Sequence, residues 1–178
     1  IIKVFSLCFD YNVRQIVIHR DGRLFKSEKE GIIIAVDELR KEMALPYDVS
    51  VTFLEIPKKS VNSVRLFHDN AKGRIYNPNI GSYFMLNSKE AVLCSTGAEF
   101  PRPGTTNPLS VKYHSGTMPF KDVLEDLYRL TTLAYTRPED CTRFPLTIKI
   151  TDRKLGEVAS QYDEELIELL TELNIERS

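Results

Sequence analysis

Two carboxylates, Asp21 and Asp152, stand where the chain could do chemistry. Asp21 lies in Arg14 to Ser27, RQIVIHRDGRLFKS, where Ile16, Val17 and Ile18 run almost straight into the charged turn Arg20-Asp21-Gly22-Arg23. A carboxylate at the mouth of a strand is where α/β folds place ligands and metals. Asp-Gly is also a common turn pair, and these residues alone leave both readings open. Asp152, in Thr151-Asp152-Arg153, falls where a helix is expected to begin, so it reads equally as a helix N-cap or first-turn acid. His19 is expected to be a satisfied, partly buried histidine rather than a ligand. Cys8, Cys94 and Cys141 have no metal-binding spacing, and their odd number argues against a disulfide framework and for a reducing, cytosolic setting.

The elements that position these acids follow from pattern. Gln15 to His19 reads as a buried strand. Ser27-Glu28-Lys29-Glu30 fits a capping box before Ile32, Val36, Leu39 and Met43 at helical spacing, which predicts a helix from about Glu28 to Ala44. Leu45-Pro46 stops it. Val49 to Ile56, VSVTFLEI, is β-branched and apolar and reads as a strand. Strand, helix and strand with short links imply a right-handed parallel crossover with Asp21 at the carboxyl end of its strand.

Downstream, short strands are expected at Val64 to Phe67, Gly81 to Asn87, Glu90 to Ser95 and Leu109 to His114, with Asn87-Ser88-Lys89 joining the second and third. A helix should start near Pro119 and run to about Ala134, burying Val123, Leu124, Leu127, Leu130 and Leu133. Leu146 to Ile150 reads as a short strand or extended lead-in. Asp152 then opens a long amphipathic helix whose inner face carries Leu155, Val158, Ala159, Tyr162, Leu166, Leu169 and Leu170. Ile1 to Phe9 fits either a strand or a helix end. No internal repeat or domain boundary is visible.

The 178 residues suffice for one domain with a sizeable core, and 42% apolar against 28% charged residues is a globular balance. No apolar run is long enough to span a membrane, and no signal peptide is visible. The net charge of −1 argues against a nucleic-acid binder, but its distribution does not. Pro57 to Pro78 sets five basic residues against Asp69, and Arg129 to Lys154 sets six against three acids. Acids gather after Gln161. Charge segregated in this way can build a basic groove.

The order of motifs IVIHRDGR, SEKE, IPKKSVNSVRLF, GTTNPLSVKYH, LYRLTTLAYTR and RFPLTIKITDRKLGEVA resembles the second half of the PIWI domain of an Argonaute, prokaryotic in type. The resemblance runs from about Arg14 to Ser160 and implies an α/β fold, a ribonuclease H-like mixed sheet flanked by helices. It implies a guide-directed endonuclease domain with a role in host defence. Its partners would be a short guide oligonucleotide, a complementary DNA or RNA target strand and the remaining Argonaute domains upstream, with no membrane involved.

Asp21 falls on the family's R-D-G aspartate and Asp152 on the last member of its acidic set, so both are implied to be catalytic ligands of two Mg²⁺ or Mn²⁺ ions. Two further acids of that set are expected before Ile1, in keeping with a chain that does not start with Met. The chain alone is therefore expected to be an incomplete enzyme. The resemblance also assigns Lys58, Lys59 and Arg65 to the nucleic-acid backbone, with Thr105 and Thr106 close to it and Tyr135, Arg137, Arg143 and Lys149 near the guide's 5′ region. Two departures stand out. Asn107 occupies a place where many relatives carry arginine. Glu157 occupies a place where some carry a basic residue near the guide's 5′ phosphate.

Within the family, a guide-and-target binding module that does not cut is the competing reading; without it, a different metal-dependent enzyme on a parallel α/β scaffold, with a closed small-molecule pocket, competes.

Overall fold

β-Branched runs make the first two strands, Gln15–Arg20 (β1) and Ser50–Glu55 (β2). They belong to a computed structural model that describes residues 13–58, 64–69, 75–96, 107–134 and 143–175, with side chains as far as 160. The expectations for residues 1–9 lie outside the described residues. β1 and β2 pair in parallel, with Gln15 opposite Ser50 and Arg20 opposite Glu55. Parallel neighbours need a crossover. The helix Lys26–Lys41 (α1) supplies it.

The ends of α1 differ from expectation. Its N-cap is Phe25, not Ser27, because the Glu28 carboxylate reaches back to accept the Phe25 amide at 2.9 Å. At the other end Met43 is 83% exposed rather than buried and adopts a φ of 58°. The Met43 amide donates to the Arg40 carbonyl and the Ala44 amide to that of Leu39. This is a Schellman closure with methionine where glycine is usual.

Tyr83–Met85 (β5), Glu90–Leu93 (β6) and Leu109–Ser115 (β7) complete a five-stranded mixed sheet in the order β1-β2-β7-β6-β5. Every pairing except β1 with β2 is antiparallel. His68–Asp69 (β3) and Ile75–Tyr76 (β4) pair separately. Val64 to Phe67 is not a strand. Its side chains are half-buried or exposed, and the pairing with β4 starts only at His68.

Pro119 caps Phe120–Thr132 (α2), where its missing amide costs nothing. Leu133, expected inside, is 66% exposed because the helix has ended before it. The last helix, Leu146–Ile175 (α3), starts before Asp152 and includes the segment expected to be extended. The amides of Ile148 and Lys149 both donate to the Pro145 carbonyl, which winds the first turn. The β-branched residues of LTIKIT weaken a helix by only tenths of a kcal/mol each, roughly, so burial of Ile148 decides. Leu155 and Val158, expected on a buried face, are exposed, as is Ala159.

Alternation along β1 sends its residues to two cores. Ile16 and Ile18 pack with Val36, Leu39, Leu45 and Val49 under α1. Val17 packs on the other face with Leu54, Ile56, Leu109, Val111, Leu124, Leu127 and Ile148. Helices therefore cover both faces. His19 follows Val17 onto the side of α2 and α3.

Candidate acidic centre

The turn after β1 is held from three directions. The Glu55 carboxylate accepts the Leu24 amide at 2.9 Å. The Arg20 guanidinium lies 3.1 Å from Glu28 and donates to the Asp21 carbonyl. The Phe25 amide first, and then Arg20, hold the Glu28 carboxyl below its ordinary range against a smaller opposing desolvation. Gly22, at φ 83°, turns the chain in a conformation that glycine adopts without strain. Asp21 is thus fixed through its backbone, and its side chain is partly exposed.

β1 is tied to α3 by His19, whose Nδ1 lies 2.8 Å from Thr147 Oγ1. Burial pushes the His19 pKa down to about 4, so its ring is neutral near pH 7. This agrees with reading His19 as a satisfied, partly buried residue. The bond fixes the first turn of α3 beside β1 and brings Asp152, further along that helix, toward Asp21.

The two acids converge. Lys58 Nζ lies 2.8 Å from Asp21 Oδ2 and 2.8 Å from Asp152 Oδ1. Those oxygens can therefore be no further apart than the two distances combined. Asp152 is neither a cap nor a first-turn residue: it sits in the body of α3, with an ammonium rather than helix-end amides as its partner. Asp152, and after it Asp21, raise the Lys58 pKa and keep the side chain charged.

Lys58 was expected at a nucleic-acid backbone, and its contact with both acids was not foreseen. The parallel register contains the signal. Arg20 faces Glu55, so both strands end at the same edge of the sheet, where Asp21 and the segment after Glu55 emerge side by side.

Other basic residues gather nearby. The Arg143 guanidinium donates to the Lys58 carbonyl, and Ser95 Oγ donates to the Arg143 carbonyl at 2.8 Å. Burial lowers the Arg143 pKa, and the Arg65 charge lowers it further. Arg65 in turn donates to Asn107 Oδ1, which gives Asn107 a partner across the sequence. Lys149 is half-buried one turn before Asp152, on the same side of α3. Glu157 pairs with Lys154 at 2.5 Å and Arg153 at 3.8 Å on the helix surface. Lys59, Thr105, Thr106, Tyr135 and Arg137 lie outside the described residues.

Among the described residues no three histidine, cysteine or acidic side chains cluster in a way that could hold a metal ion. Asp21 and Asp152 form a pair. Likewise, no described helix is long and apolar enough to cross a membrane.

No family model and no curated protein matches the sequence. Solved structures do match. An Argonaute from Aquifex aeolicus is 26% identical, with a TM-score of 0.56, over 82% of this chain and 19% of that one. Clostridium butyricum Argonaute, bound to a guide DNA and a 19-mer target DNA, is 22% identical over 85% of this chain and 20% of that one, with a TM-score of 0.57. Marinitoga piezophila Argonaute, in complex with a 5′ OH guide RNA and target DNA, is 18% identical over 85% of this chain and 21% of that one, with a TM-score of 0.56. The chain spans about a fifth of the length of these structures. Over most of its own length, this mixed sheet with helices on both faces therefore has the fold of a segment of Argonaute proteins.

Proposed function

We propose that the chain is the second half of a PIWI domain in an Argonaute of prokaryotic type, and that Asp21 and Asp152 are catalytic metal ligands in guide-directed cleavage of a complementary strand. The observation that carries this reading is the meeting of both carboxylates at one cation, Lys58 Nζ. The donor set fits the ions expected. Carboxylate oxygens are hard ligands of the kind Mg²⁺ and Mn²⁺ prefer, and the Lys58 ammonium marks a point where positive charge is favoured between them. When bound, such ions supply the charge that activates water and stabilises the leaving oxygen in phosphodiester hydrolysis.

The chain's own residues do the placing. Asp21 and Asp152 would hold the ions, and the His19–Thr147 bond keeps their two elements in register. Arg65, Arg143 and Lys149 provide positive charge beside the acids for the phosphates of guide and target. Such contacts position a strand without reading its sequence, which base pairing with the guide supplies.

The test uses the full-length protein with a short guide and a labelled complementary strand, in Mg²⁺, Mn²⁺ or EDTA. Cleavage should require both guide and metal. Asp21→Asn and Asp152→Asn should each lower its rate by at least about 100-fold while leaving most of the binding. Metal-dependent cutting that survives both substitutions would sink the reading.

A second reading, a guide-binding module that does not cut, draws on the same lysine: Lys58 already offsets one of the acid pair's two negative charges without a metal. It predicts guide and target binding in EDTA with no cleavage in any metal.

A further inference from the structure

Two carboxylates brought this close repel each other unless something positive lies between them. Lys58 provides that charge, with one oxygen from each acid at hydrogen-bond distance. Two neighbouring guanidinium groups have other partners. Arg20 is held by Glu28, and Arg143 donates to the Lys58 carbonyl. Among the described residues, Lys58 is the cation that touches both aspartates.

We propose that Lys58 is a tethered counter-ion of the acid pair, which a divalent metal must displace in order to bind, so that loading the site and releasing this lysine are one event. The inference rests on the reading of Asp21 and Asp152 as metal ligands and goes beyond it by naming what occupies the site first. An ammonium and a divalent ion cannot both occupy the point between Asp21 Oδ2 and Asp152 Oδ1. Mg²⁺ needs oxygens at about 2.0–2.1 Å, whereas the ammonium is already in contact with both acids and repels a second cation.

Lys58 is also built to leave. Its backbone carbonyl is clamped by Arg143, while its side chain is half-exposed on a flexible four-carbon stem. Only side-chain torsions need to change. Once free, the ammonium would be available to a phosphate, next to the Arg143 that holds its backbone carbonyl. The contact seen here and the phosphate contact that the family resemblance implies are then two positions of one side chain.

Amine labelling of the full-length protein tests this, with acetylation of Lys58 followed by mass spectrometry across an Mg²⁺ titration. Mn²⁺ binding by calorimetry runs alongside it on wild type, Lys58→Met, Asp21→Asn and, as a control, Lys26→Met on the outer face of α1. We expect Mg²⁺ to speed Lys58 acetylation severalfold at concentrations where the site fills. We expect Lys58→Met to tighten Mn²⁺ binding by about five- to tenfold, as removal of two partly exposed ion pairs implies. Lys26→Met should change neither. Metal binding that requires Asp21 but leaves Lys58 acetylation and the Lys58→Met affinity unchanged overturns the inference and spares the metal reading. Mn²⁺ binding that is the same in wild type and Asp21→Asn overturns both.

Discussion

His19 Nδ1 and Thr147 Oγ1 lie 2.8 Å apart, a bond that fastens β1 to the start of α3. His19 stands two residues before Asp21, near the end of β1, and Thr147 five residues before Asp152 on α3. The position of one acid relative to the other therefore depends on a neutral imidazole at some distance from the charges themselves.

That imidazole makes the fold sensitive to acid. His19 titrates at about 4 in the folded protein against an ordinary 6.5. Between those values the unfolded chain takes up a proton that the folded chain refuses, so stability is full above pH 6.5 and falls as pH drops toward 4. The loss from this group is on the order of 2 kcal/mol. His19→Asn, which cannot titrate there, should lose that much less than wild type in urea unfolding compared at pH 7 and pH 4.5. Equal losses would remove His19 as the cause.

Nucleic-acid affinity should fall steeply with salt, because the proposed contacts are to phosphates. Lys149→Ala and Arg65→Ala should each weaken binding to all sequences alike and reduce the slope of log affinity against log salt by about 1. Fluorescence anisotropy with a labelled guide, from low to moderate salt, measures this. A change in sequence preference with an unaltered slope is the contrary result.

Met43 closes α1 in a left-handed conformation that an L side chain adopts at a cost. Its side chain is exposed, so little packing is lost on removing it. Met43→Gly should raise stability by up to about 1 kcal/mol, read as a higher denaturation midpoint. A drop would mean that the side chain has a partner outside this chain.

Gly116 has no room for a side chain. A Cβ there would come within 2.3 Å of Thr52 Oγ1 and 2.7 Å of the Thr52 backbone. Gly116→Ala should cost about 1–3 kcal/mol by pushing β7 away from β2. Gly22→Ala, whose Cβ would meet nothing, should cost only the strain of its φ of 83°. Gly116 also has a positive φ, of 151°, so thermal unfolding should show the larger loss for Gly116→Ala, by the crowding that Gly22→Ala lacks.

The parallel unit was legible because three independent local signals agreed: β-branched runs, helical spacing from Ile32 to Leu39, and short links. The start of α3 was not. Thr147, Ile148, Ile150 and Thr151 look like a strand by residue type, and only the burial of Ile148 beneath the sheet overrides that preference. Leu155 and Val158 misled for the opposite reason: helical periodicity says that a face exists, not that this chain covers it. The two aspartates stood out only through the order of motifs, since each alone reads as a turn or a cap. Lys58 was noticed as a charge, yet its partner is fixed by strand register, which local sequence does not display.

The His19–Thr147 bond joins residues 128 positions apart, so the two halves of the centre are made at very different times during synthesis. The first acid emerges from the ribosome early, close behind it comes Lys58, and the second acid follows only after the intervening sheet has been translated. Pairings over such long sequence separations form slowly. The meeting of the two acids is therefore among the last features this chain acquires, and a product cut short before residue 146 lacks it however well its first strands fold.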